Sequence, residues 1–288
     1  MPAEHPIRNP AEMFVTLFSD AASDAGAAVA RRPRPRAAQA APAVRRISRQ
    51  ALWDALAEGV RDLGASRADV LFIGVIYPVA GLLLASLAFD QDLLPLIFPL
   101  VSGFALLGPV AAIGLYEISR RREQGLPAAP GDALSVLRSP RLGSILALGA
   151  VLLALFLLWI GAAYLIYAVT LGPAPPASAS AFLREAVSTG AGWTMIGVGI
   201  GVGFLFALAA FAVSVVSFPM LLDRDVTFDV AIATSVRAVA ANPGPMALWG
   251  LIVAGALAAG SLPALVGLIF VMPVLGHATW RLYRAVIA

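Results

Sequence analysis

The stretch "GPMALWGLIVAGALAAGSLPALVGLIFVMPVL", Gly244 to Leu275, decides how many times this chain crosses a bilayer. It is apolar throughout, yet longer than the roughly twenty residues a helix needs to cross a hydrocarbon layer of about 30 Å. It is also interrupted at Gly260-Ser261-Leu262-Pro263. Either it is one kinked span or it is two short spans joined by a tight turn. Charge separates the two readings, because cytoplasmic loops carry the arginine and lysine excess. With six spans and the N-terminus inside, nineteen of the twenty basic residues fall inside and only Arg184 falls outside. Five spans would carry Arg281 and Arg284 across and leave one helix of more than thirty residues. The expectation is six spans with both termini cytoplasmic.

Four further apolar runs supply the other spans. They are Val70 to Phe89, Leu93 to Tyr116 after the polar turn Asp90-Gln91-Asp92, Leu142 to Leu171, and Trp193 to Leu222. Paired in order, the six spans make three consecutive hairpins, an all-α polytopic domain over residues 70–288. Prolines gather in the helices that return to the cytoplasm: Pro95, Pro99 and Pro109, then Pro219, then Pro263 and Pro273. Each frees a backbone carbonyl and bends its helix, which a bilayer tolerates when a neighbour satisfies the freed group.

Composition bounds the rest. Of 288 residues, 60% are hydrophobic and 13% charged, whereas a soluble domain is nearer half apolar and a quarter charged. The chain has no cysteine and only His5 and His277 as imidazoles, so thiolate chemistry and a multi-histidine metal or haem centre are not available. No cofactor is expected. Every basic residue is arginine, a bias that suggests a GC-rich bacterial genome. The first thirty residues lack the charged start and apolar core of a secretory signal, and Glu4, Glu12, Asp20 and Asp24 argue against a transit peptide. No Asp, Glu, Lys, Arg or His lies inside the apolar runs, which counts against an ion-coupled pump. "GVGIGVG", Gly197 to Gly203, lacks the spacing and flanking strand of a nucleotide site.

Residues 1–50 read as a disordered Ala/Pro/Arg-rich tail. Ala30 to Arg49 holds seven arginines and no acid, a composition suited to anionic lipid headgroups and, without interleaved aromatics, not to nucleic acid. Over residues 51–69, Leu52, Trp53, Leu56, Val60 and Leu63 recur at helical spacing between Asp54, Glu58, Arg61 and Asp62. That pattern predicts an amphipathic helix along the interface, with Trp53 at headgroup depth.

The three cytoplasmic exits carry the candidate site residues. Glu117, Arg120 and Arg121 end the second span, Asp223, Arg224 and Asp225 end the fourth, and His277, Trp280 and Arg281 follow the last. Two readings compete. In the first these are boundary groups: arginines reach lipid phosphates, Trp280 and Tyr283 sit in the aromatic belt, Asp223 or Asp225 caps the next helix, and His277 meets a headgroup or carboxylate. In the second, acid and base from different exits pair into a polar cluster under the membrane. The boundary reading is the favoured one.

These exits also carry a resemblance. "FPLVSGFALLGPVAAIGLYEISRRREQG", "FPMLLDRDVTFDVAIATSVRAVAANP" and "MPVLGHATWRLYRAVI" are similar to the hallmark segments of a bacterial membrane family, domain of unknown function 2189. The likeness runs from about Leu52 to the C-terminus. Some members carry a cytochrome c oxidase subunit label, but a haem-copper centre needs several intramembrane histidines, and here His277 stands alone at an interface. The resemblance implies a fold and a location and names no reaction. The expected function is non-enzymatic assembly or scaffolding of other membrane proteins through the cytoplasmic face. The alternative is a channel or transporter for a small uncharged or weakly polar solute.

Overall fold

The computed structural model describes residues 42–65, 75, 78–79, 81–83, 86, 94–174, 176–263 and 265–288. The first expected span, Val70 to Phe89, lies mostly outside these residues, as does the tail before residue 42. Among the described residues the chain is helical with no strand, and one isolated antiparallel bridge joins Val44 to Ile287. In order come α1 (Arg49–Ala65), α2 (Leu94–Glu123), α3 (Leu142–Thr170), α4 (Ala179–Ser188), α5 (Gly190–Ser214), α6 (Ser217–Asp223), α7 (Phe228–Ala241), α8 (Pro243–Ser261) and α9 (Leu268–Val286). Among the described residues, four stretches are long and apolar enough to cross a membrane: α2, α3, α5 continued by α6, and α8.

Proline sets the breaks inside these helices. Pro109 has no N–H for the Ala105 carbonyl, and the chain tightens into a 3₁₀ turn at Ala105–Leu107, where the Gly108 N–H takes that carbonyl. The Pro99 carbonyl accepts the indole N–H of Trp159 on α3 at 3.0 Å. Pro219 likewise leaves the Val215 carbonyl without its donor, and α5 passes into α6 there. The Val216 N–H at this break donates to the Ser235 hydroxyl of α7 at 3.2 Å.

The Gly244–Leu275 stretch is two helices. After Ser261 the chain turns before α9, with Leu265 in the left-handed region at φ 66°. α8 and α9 then meet at paired glycines, so close that a Cβ on Gly267 would stand 2.7 Å from the Gly260 carbonyl oxygen. Their other ends are joined through residues 45–47. Asn242 accepts the Ile47 N–H at 2.8 Å and donates to the Arg45 carbonyl at 3.0 Å, while the Arg45 N–H donates to the Val286 carbonyl at 2.7 Å. Two contacts at opposite ends define an antiparallel hairpin. Only the first half of α9, Leu268 to Leu275, is apolar, so it is not among the four long apolar helices.

These contacts also correct the tail. Its expected limit at residue 50 is too late, because from Ala43 onward the backbone is bonded to the C-terminal residues and to Asn242. α1 then runs antiparallel to α9 and packs along its second half. Leu52 and Ala55 are buried, and Gly59 sits where a Cβ would be 2.7 Å from the Val274 carbonyl oxygen. Trp53 and Val60, seven residues apart and so on one face, point outward.

Burial divides the long helices into two tiers. Leu146, Leu158 and Leu165 on α3, Trp193, Ile200 and Phe204 on α5, Leu251 on α8 and Phe270 on α9 are all exposed. Beyond them, towards the charged ends, Leu115, Ile118, Met220, Leu221, Met246, Trp249, Trp280 and Tyr283 are almost completely buried. An apolar surface of that extent is unstable in water and neutral in hydrocarbon, where lipid tails contact it as readily as another helix would. The second tier is packed like a soluble core, with α1 and α7 covering the charged ends of the long helices.

Candidate functional site

The charged ends of α2, α6 and α9 converge with α1 in this packed tier, and arginine forks hold them. On α2, Glu117 is buried and takes both Nε and an Nη of Arg120 at 2.8 Å, one turn on, with the Ser135 hydroxyl at 3.4 Å. Arg121 reaches Asp132 in the 3₁₀ segment Pro130–Arg138 at 2.7 Å. The two-point Glu117–Arg120 fork fixes orientation as well as charge, so that pair defines a geometry that a single ammonium could not.

The links between helices centre on two carboxylates. Asp223, the last residue of α6, accepts the Tyr283 hydroxyl at 2.6 Å and an Nη of Arg284 at 3.1 Å. Glu123, the last residue of α2, accepts the Trp280 indole N–H at 3.0 Å and the Nε of Arg284 at 2.9 Å. Arg284 thus bridges the ends of α2 and α6. Arg224 donates to the Tyr283 hydroxyl at 3.3 Å and to the carbonyl of Ala288, and Arg141 donates to the Leu222 carbonyl. Burial, with Asp223 beside it, pushes the Tyr283 phenol above its ordinary pKa and keeps it a donor.

A second group ties in α1. Arg281 lies 3.0 Å from Glu58 and 3.3 Å from Asp62, and Arg122 donates to the Asp62 carbonyl at 3.1 Å. Beneath them His277 is 1% exposed, its Nδ1 2.7 Å from the Ser119 hydroxyl and its Nε2 buried with no hydrogen-bond partner among the described residues. Burial lowers its pKa to about 4, helped by Arg122 and Arg281 against the opposing pull of Asp62. The imidazole is therefore neutral at pH 7.

Several boundary expectations are corrected by this geometry. Trp280 and Tyr283 are buried against carboxylates and not in an aromatic belt. His277 meets a serine instead of a headgroup. Asp223 is committed to α9, while Thr227 occupies the N-cap of α7 and makes no side-chain cap. The Asp223-Arg224-Asp225 triplet is split, for Asp225 is exposed on the turn before α7. Glu58, Asp62, Ser119 and Glu123 join the cluster although the sequence did not single them out as partners. The acids of α1 were legible only as its polar face. Glu117, Glu123, Asp223, Glu58, Asp62 and Asp132 each face an arginine, and no group of three or more metal-ligating side chains occurs among the described residues.

A helical bundle with a bare apolar tier and a packed, charged end is an integral membrane protein with several transmembrane helices. Residues 97–223 match the family described as predicted integral membrane protein (DUF2189). The match is narrower than the likeness read from the sequence: it holds all of Phe98 to Gly125, ends at Asp223 inside the second hallmark segment, and stops short of the third. No curated protein and no solved structure matches the chain.

Proposed function

We propose that this is a non-enzymatic inner-membrane protein of six spans, both termini cytoplasmic, whose packed charged tier is a docking platform for other membrane proteins. The observation that supports this reading is a ridge on that tier. In the 3₁₀ segment Pro130–Arg138, Ala133 and Val136 are buried, while Leu134 and Leu137, three residues apart and so on the same side, stand 52% and 63% exposed. The segment is held to α2 by the Arg121–Asp132 ion pair. An apolar pair on a rigid, otherwise charged surface is the form of a protein contact. The carboxylates beneath it are engaged by arginines, which suits a load-transmitting body better than acid–base chemistry.

The test is purification of the full chain from native membranes in mild detergent after brief crosslinking. A membrane protein recovered in fixed proportion, and lost on Leu134→Glu with Leu137→Glu, supports the platform. A chain that crosslinks to nothing, or a partner indifferent to those two substitutions, overturns it.

A further inference from the structure

At the end of the bundle opposite the charged tier, the first turns of α2, the last turns of α3, α4 and the first turns of α5 enclose a cavity of about 500 Å³. Phe98, Trp159, Ala163, Phe182, Met195 and Gly199 are among its walls. The polar atoms on that wall are engaged: the Trp159 indole N–H bonds the Pro99 carbonyl, and the Tyr167 hydroxyl bonds the Ala174 carbonyl at 2.5 Å. A polar solute entering would give up its water and find no partner. The volume is that of a small-molecule site, so the chemistry selects a long apolar group.

The surroundings select which one. Phe98, Leu183 and Ile200 belong both to the cavity wall and to the exposed apolar tier, so the cavity is continuous with the surface that faces lipid. α4 forms its outer rim. Phe182, Leu183, Ala186 and Val187 face the cavity, and the Phe182 ring packs edge-on against Tyr167 at 6.2 Å. Between those apolar positions stand Arg184, the only basic residue between Leu142 and Asp223, and its neighbour Glu185, both exposed. Helical spacing sets these two charges on the outer, polar face of α4, away from the cavity-lining face, so Arg184 offers a cation at headgroup level for a phosphate beside an acyl-sized cavity. Trp193, 61% exposed at the start of α5, marks the same interfacial level. We propose that the cavity holds an acyl chain of one bound phospholipid, with its phosphate drawn to Arg184 on the outer face of α4. This site is independent of the docking platform and lies at the other end of the molecule.

Native mass spectrometry of the full chain, delipidated in mild detergent and given back phosphatidylethanolamine, tests it. One retained phospholipid per chain is expected. No atom stands within 4 Å of a Cβ at either Gly199 or Gly197, but only Gly199 lines the cavity. Gly199→Phe should lower retention about tenfold or more, and Gly197→Phe should leave it unchanged. Added lipid should raise the melting temperature of the wild type and of Gly197→Phe but not of Gly199→Phe. Arg184→Gln, a surface change, should reduce retention several-fold and carries the test if Gly199→Phe fails to fold. Equal retention by the two glycine variants, or indifference to Arg184→Gln, would leave only annular lipid and overturn the proposal. So would a polypeptide occupying the site in place of lipid.

Discussion

Asp223 and Tyr283, sixty residues apart in the chain, share a 2.6 Å hydrogen bond that joins the end of α6 to α9. Asp223→Ala should therefore lower thermal stability, with a loss of about 1–3 kcal/mol because the phenol loses its acceptor and Arg284 keeps only Glu123. A double-mutant cycle with Tyr283→Phe should show coupling, whereas Arg61→Gln, at an exposed ion pair, should be close to neutral. Additive effects of the first two would deny the bond.

Glu117 presents a sharper case, since its carboxylate is buried and Arg120 is its cationic partner. Arg120→Met is expected to cost several kcal/mol, on the order of 3–5. Adding Glu117→Gln should restore much of that loss, because the second change removes the stranded charge. Denaturation in detergent reads both, and no restoration would mean that the fork contributes by packing alone.

His277 makes stability depend on pH. Its folded pKa of about 4 lies below the ordinary 6.5, so the unfolded chain takes up a proton first as pH falls. Its contribution is complete above pH 6.5, declines between 6.5 and 4, and levels off below 4, for a total of about 3 kcal/mol. His277→Asn should flatten that part of the profile. An unchanged slope between pH 6.5 and 4 would place the titration elsewhere.

Docking of α1 on α9 depends on a glycine. Because a Cβ at Gly59 would meet both the Val274 carbonyl and the Ala278 methyl, Gly59→Val should lever α1 away. Faster protease cleavage within residues 49–65 would report this, with α2 to α9 left intact. Wild-type protection in the variant would show that the contact is not required.

The six-span topology predicts that reporter fusions after Gln91, at Ala177 and at the C-terminus read outside, outside and inside. An outside C-terminus would remove that topology, whatever the helices number.

Long apolar runs were legible from the chain because a membrane helix satisfies its own backbone, so composition over about twenty residues determines it without reference to neighbours. α3, α5 with α6, and α8 fall within a few residues of the expected runs, and α2 continues seven residues past Tyr116 to Glu123. The turn between α8 and α9 was open to two readings, since Pro263 and Gly260 permit a kink as readily as a reversal; the Gly260–Gly267 approach decided it.

What no local pattern held is which charges meet. Asp62 and Arg281 lie 219 residues apart and Trp280 and Glu123 lie 157 apart, and each pair exists only because α1, α2 and α9 cross at one place. Helical periodicity orders residues on one helix and carries no information about the partner face. The sequence by itself therefore determined a bundle of apolar helices and the arginine-rich side of it. Only the tertiary structure decided that the charges at its exits pair with one another, because pairing across helices is a property of crossing helices and not of any one of them.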